Sequence, residues 1–171
     1  MTHNTEASGP VHCIHVEAPA RLHLGFLDLH GGMGRQFGSI GLTIDTLATR
    51  LRAELSDEFT ASGPGAERAL KYAKAFARAQ KIEGGAHISL EQAIPDQNGL
   101  GSGTKMALAV GAAMAQLYGM HSTSRTFART LGGGASSGIG IGAFDQGGII
   151  LDCGRGETQE VPPVPTRLPF P

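Results

Sequence analysis

From Arg21 to Phe26 the chain alternates strictly. Leu22, Leu24 and Phe26 fall on one face of a period-two strand, and Arg21, His23 and Gly25 on the other. Ser39–Asp45 is the next strand candidate. Ala48–Ser56 suits a strand or a helix, and a strand is favoured because Thr49, Leu51, Ala53 and Leu55 interleave with Arg50, Arg52 and Glu54. Cys13–Glu17 predicts a short strand ahead of them, stopped by Pro19, and Gly31, Gly32 and Gly34 predict a turn with Arg35 beside it. At Ala66–Lys81 the period changes: Leu70, Ala73, Phe76 and Ala77 form one stripe while Lys71, Lys74, Arg78 and Lys81 stand elsewhere, the pattern of an amphipathic helix. Gly84–Gly85 is its expected stop, and Ala86–Glu91 alternates again as a strand.

Beyond Ile94 the pattern breaks. Gly99, Gly101 and Gly103 alternate with Leu100 and Ser102, and a run rich in Ala, Met and Leu follows from Thr104 to Tyr118. These are good helix formers, and with no polar stripe the helix is predicted to be buried. A glycine loop that opens a helix leaves several N–H groups unpaired and converging, with the helix dipole favouring an anion. Gly99, Leu100, Gly101, Ser102, Gly103, Thr104 and Lys105 are therefore the first phosphate-binding candidates. Ser122 is the expected cap of a further helix reaching about Leu131. Gly132–Gly148 reads as a second glycine-rich loop, in which Ser136, Ser137 and Gly138 form either a second anion site or a tight, buried fold. Ile149–Asp152 is a closing strand. Prolines at 162, 163, 165, 169 and 171 argue against regular structure and predict an extended linker over 157–171. The organisation expected is a flexible leader at 1–11, a domain at 12–156, and a linker toward a missing C-terminal domain.

Composition narrows the function. Lys plus Arg number 14 and Asp plus Glu 15, so no basic excess points to nucleic acid. A hydrophobic content of 40% supports a core. No apolar run reaches membrane-spanning length, and the polar N-terminus lacks a signal core, so a cytoplasmic protein without membrane contact is expected. Cys13 and Cys153 do not make a disulfide framework, and Cys153 reads as a small core residue. His12 and His15 beside Cys13 are too few for a metal site. Asp145 is either an acid–base group or a plain turn residue, since it sits among glycines, where Asp is common. Arg21 and His23 stand either on a solvated face or on a polar pocket wall, where Arg is a forked phosphate donor.

The loop matches neither the Walker nor the dinucleotide fingerprint. What remains, P-x-x-x-G-L-G-S-G-T from Pro95 to Thr104, resembles the second motif of the GHMP small-molecule kinase superfamily. Taken with APARLHLGFLDLHG (Ala18–Gly31) and SGIGIGAFDQGGIILDCG (Ser137–Gly154), it resembles the beta-ribofuranosylaminobenzene 5'-phosphate synthase family within that superfamily. The resemblance implies an α+β fold: a GHMP-type N-terminal domain, like ribosomal protein S5 domain 2, with helices packed on a mixed sheet. It implies condensation of 4-aminobenzoate with phosphoribosyl pyrophosphate, releasing carbon dioxide and pyrophosphate, in tetrahydromethanopterin biosynthesis. Arg21, His23 and Asp28 are then the catalytic candidates, Arg21 and His23 for the phosphoribosyl end or the carboxylate. Asp28 is read as a metal ligand, a stabiliser of positive charge, or a plain turn residue. Magnesium is the expected cofactor, with Ser102 and Asp28 as ligands. In this family a glutamine is more usual at Lys105, which is thus a local variation or a surface residue. An arginine is expected near Gly132–Gly134, and three glycines stand there instead, which bears on activity if that arginine grips diphosphate. The alternatives are a GHMP kinase using ATP and a non-catalytic fragment. A homodimer, or a C-terminal half on a separate chain, completes the partners expected.

Overall fold

Strand β2 (Gly38–Ser56) is 19 residues long and carries the rest of the sheet. The segments 39–45 and 48–56 are one continuous strand, where two were expected. A computed structural model describes residues 13–32, 34–132, 137–156 and 165–169. Strand β1 (Ile14–Asp28) runs antiparallel to β2 along its length. Pro19 does not end it: among the described residues β1 pairs only with β2, so a missing N–H there breaks no second described ladder. Register shifts after Pro19 and between His23 and Gly25 absorb the irregularity.

The far half of β2 pairs with β4 (Gly85–Gln92), which lies parallel to the short β3 (Thr60–Ser62). The near half pairs with β5 (Ile149–Asp152), and β5 with β6 (Thr166–Leu168). The order is β3-β4-β2-β5-β6, with β1 beside β2, in one mixed sheet. Strand β6 corrects the expectation that prolines exclude regular structure over 157–171. It is an edge strand, preceded and followed by Pro165 and Pro169, where a proline costs the ladder nothing. The expected leader and residues 157–164, 170 and 171 lie outside the described residues.

Four helices are described: α1 (Ala66–Gln80), α2 (Ser102–Leu117), α3 (Ser124–Leu131) and α4 (Ile139–Asp145). Lys81, at φ 55°, ends α1 in the left-handed conformation, three residues before the glycines expected to do so. Thr123, not Ser122, caps α3, its hydroxyl accepting the Thr126 N–H. Helix α2 is buried nearly all round, as its composition requires, and packs on β1, β2, α1 and α3. Leu51, Ile88, Phe76, Leu108, Met114 and Phe127 form the core around it. Helix α4 was not expected within the second glycine loop. Its glycines are packing devices: a Cβ on Gly140 would lie 2.8 Å from Thr104 Cγ2, so this residue sets how closely α4 approaches α2. Among the described residues no helix is long and apolar enough to cross a membrane.

Candidate phosphate-binding site

The loop before α2 turns on two left-handed glycines, Gly99 (φ 69°) and Gly101 (φ 81°), the latter at the N-cap. Such positive dihedrals favour glycine. The Lys105 N–H returns to the Gly101 carbonyl at 3.0 Å. The N–H groups of residues 102–104 lie in the first turn, where intrahelical acceptors do not exist. Arg21 holds this loop from β1: its N–H donates to the Leu100 carbonyl at 3.2 Å and its Nη1 to the Gly99 carbonyl at 2.5 Å.

A cleft of about 410 Å³ opens here, lined by Arg21, His23, Phe26, Gly99, Thr104, Ser137 and Gly140. Arg21 and His23 thus wall a pocket; they are not a solvated face. Phe26 was expected on the opposite face. The irregularity between His23 and Gly25 sets Phe26 opposite Ser39, on the same side as His23 opposite Gly41 and Arg21 opposite Thr43. The His23 and Phe26 rings lie 4.6 Å apart, and Phe26 meets Phe37 edge-on at 6.0 Å. Among the described residues, Arg21 Nε, His23 Nε2 and Thr43 Oγ1 are buried without a hydrogen-bond partner. Buried polar atoms of this kind are uncommon and suit a ligand.

The opposite wall is the turn into α4. Ser137 and Ser39 share a hydrogen bond at 2.8 Å. The fully buried Asp152 carboxylate accepts the Gly138 N–H at 2.5 Å, the Gly154 N–H at 3.0 Å and, more weakly at 3.5 Å, the Ser39 hydroxyl. The Ser137 hydroxyl is therefore oriented by a chain that ends on a buried carboxylate. Ser39 and Asp152 escaped the sequence reading because each looks like an ordinary strand residue. They become partners only because β2 and β5 pair in that register.

Lys105 is not a surface residue. It is wholly buried, its Nζ donates to the Gly140 carbonyl at 3.0 Å, and it lies 5.9 Å from the Phe144 ring centre. Burial, then the nearby Arg21 charge, lowers its pKa to about 7, partly opposed by Asp145. Burial first and Arg21 second also depress the His23 pKa, with Asp152 opposing. Burial depresses that of Arg21. The site is thus cation-rich and poorly hydrated, a setting that an anion would relieve.

Other candidates fall elsewhere. Ser102 helps Arg68, the larger influence, to hold the Asp96 carboxyl below its usual range. Asp28 pairs with Gly38 at the far end of β1, seven residues beyond Arg21, and its side chain is outside the described set. Ser102 opens α2, and among the described residues no group of three His, Cys, Asp or Glu side chains is placed to hold a metal ion. Ser136, Gly133 and Gly134 lie outside the described residues. Cys153 is exposed, not a core residue.

Residues 67–151 match the model of the GHMP kinases N terminal domain. Over 142 residues the chain is 35% identical to the beta-ribofuranosylphenol 5'-phosphate synthase of Archaeoglobus fulgidus, covering 83% of this chain and 45% of that protein. It is 34% identical over 178 residues to the protein of the same name from Methanothermobacter thermautotrophicus, covering 91% and 54%. A crystal structure of 4-(cytidine 5'-diphospho)-2C-methyl-D-erythritol kinase superposes with a TM-score of 0.64 at 26% identity, over 92% of this chain and 56% of that one. The chain spans about half the length of the curated relatives that it matches. Family model, sequence identity and superposition converge: the chain belongs to the GHMP kinase superfamily, carries its N-terminal domain and is similar to the beta-ribofuranosylphenol 5'-phosphate synthases.

Proposed function

We propose that the cleft binds the diphosphate of phosphoribosyl pyrophosphate, and that the chain supplies this half of a ribofuranosyl-transferring synthase. The observation that carries the reading is the convergence of Arg21, the first turn of α2 and Ser137 on one cleft. In this reaction the bond from the ribosyl anomeric carbon to diphosphate breaks, and its electron pair leaves with pyrophosphate. A carbon–carbon bond forms to the arene carbon that bore the carboxylate, and carbon dioxide departs as the ring regains aromaticity. Preorganised N–H donors on the leaving oxygens favour that departure. Arg21 adds a guanidinium next to the same loop. Phe26 and His23 form an aromatic wall suited to an arene.

The relatives' names specify a phenol, where the sequence resemblance implied an aminobenzene. The cleft itself favours neither. Magnesium would neutralise charge on the diphosphate, and Ser102 at the start of α2 is a described hydroxyl that would hold it.

The test is release of labelled carbon dioxide from carboxyl-labelled 4-aminobenzoate and, separately, 4-hydroxybenzoate. Release should require phosphoribosyl pyrophosphate and fall at least about tenfold in Arg21→Ala. Pyrophosphate titration of the same proteins reads binding apart from turnover. ATP hydrolysis without carbon dioxide release would support the kinase reading. Pyrophosphate binding that ignores Arg21 would sink the synthase reading.

A further inference from the structure

Lys105 stands behind the cleft wall and not in the cleft. Thr104 before it and Gly140 across from it line the cavity, while its own side chain is wholly buried. An ammonium carries three N–H donors. Among the described residues the Lys105 Nζ meets one acceptor, the Gly140 carbonyl at 3.0 Å. The Phe144 ring centre, 5.9 Å away, is at the outer limit of a useful cation–π contact. Two donors of a charged Lys105 would thus go without an acceptor, a costly place for a full charge. Among the described residues two charges bear on it: Arg21 from β1 disfavours the ammonium, and Asp145 from α4 favours it. Asp145 is held in turn by the Ser124 hydroxyl of α3, which donates to it at 2.6 Å. His23, two positions along β1 from Arg21, is the other titratable group on the same wall of the cleft.

The charge of Lys105 is therefore set by a balance across one layer of residues. An anion seated against Arg21 alters that balance twice. It offsets the guanidinium that repels a proton from the Nζ, and it brings negative charge to the cleft side of Thr104 and Gly140. Charges in a poorly hydrated interior are weakly screened. We infer that anion binding in the cleft is coupled to uptake of one solvent proton by the Lys105 Nζ. The ammonium forms as the ligand arrives and reverts to the amine as the ligand leaves. The proton adds to the nitrogen lone pair, and no bond in the ligand changes. Lys105 thus acts on the ligand through charge, without touching it. Linkage makes the effect reciprocal: the proton strengthens anion binding by the factor by which the anion strengthens proton binding. With the free Lys105 pKa at about 7, the ammonium is already present below that pH and no proton is needed. Above it one is taken up, so affinity falls as pH rises, by at most about tenfold per unit. This rests on the cleft being an anion site, as proposed, and not on which transfer reaction follows.

Calorimetric titration of the 171-residue chain with pyrophosphate at about pH 8, in Tris and in triethanolamine, counts protons from the dependence of the heat on the buffer. Neither buffer is an anion that would compete for the cleft. The parent should take up on the order of one proton more per pyrophosphate than Lys105→Gln does. Pyrophosphate's own titration is common to both proteins and cancels in that difference. The ratio of parent to variant dissociation constants should rise several-fold from about pH 7 to about pH 8.5. Equal proton counts in the two proteins overturn the inference. So does uptake that survives in Lys105→Gln and vanishes in His23→Gln, since the imidazole would then be the acceptor. Should Lys105→Gln not fold, nitrogen NMR of the parent reads the Lys105 Nζ directly: its titration should move to higher pH with pyrophosphate bound, and an unmoved titration overturns the inference. Pyrophosphate that binds with no extra proton faults the inference alone. Pyrophosphate that does not bind at all faults the anion site, and the inference with it.

Discussion

The Asp152 carboxylate on β5 accepts the backbone N–H of Gly138 at 2.5 Å, and this bond fixes the turn from which α4 starts. Gly138 follows Ser137, whose hydroxyl faces the cleft and bonds Ser39. One buried carboxylate therefore holds a wall of the site through the backbone on one side and a serine pair on the other.

Asp152→Asn places an NH₂ group where acceptors are needed. Hydrogen bonds to a charged group contribute roughly 1.5–3 kcal/mol each. Urea denaturation should show a loss of roughly 2–4 kcal/mol, and calorimetry weaker pyrophosphate binding as Ser137 loses its orientation. A variant as stable as the parent would mean that the carboxylate is not the anchor of this turn.

Arg21 tests the anion site most directly. Lys at this position keeps a charge but loses the planar fork that reaches both Gly99 and a phosphate. Arg21→Lys should raise the pyrophosphate dissociation constant about tenfold, roughly 1.4 kcal/mol. An unchanged constant by calorimetry would remove Arg21 from the site.

Lys105 makes stability depend on pH in a defined direction. Its folded pKa of about 7 lies below the ordinary lysine value, so between pH 7 and about 10 the unfolded chain binds more protons than the folded one. Stability should therefore rise with pH through that window, by on the order of 5 kcal/mol at most, with the full cost of burying the charge present below pH 7. Lys105→Gln retains a donor for the Gly140 carbonyl and removes the charge. It should flatten that rise and be the more stable protein at pH 6. Parallel stability–pH curves for the two would refute the assignment.

Gly140→Ala probes the seam between α2 and α4. The new methyl meets Thr104 Cγ2 at 2.8 Å, and Thr104 lines the cleft. Overpacking of this kind costs about 1–3 kcal/mol. A lower melting temperature and weaker pyrophosphate binding are expected together. Gly99→Ala, with open space around its Cβ but φ 69°, should lose stability through backbone strain alone.

Local pattern located much of this molecule. The alternation around Leu51, the stripe of α1 and the all-apolar run of α2 are dictated by which residues seek water, and each element formed where that preference put it. The glycine loop was legible for a similar reason: glycines before a helix leave N–H groups with no local partner. Helix α4 was hidden because glycine is a poor helix former in isolation, and close packing against Thr104 and Ile150 is what makes Gly140 and Gly142 useful there. Phe26 was set on the wrong face because a register shift in β1 has no sign in the letters.

The sequence by itself determined where backbone donors would be exposed and which helix would be buried, since both follow from side-chain chemistry over a few neighbouring residues. Only the tertiary structure decided that Ser39, Ser137 and Asp152 act together and that Lys105 is interior. Those relations join positions up to about a hundred residues apart, and they exist only once strand register brings the positions together.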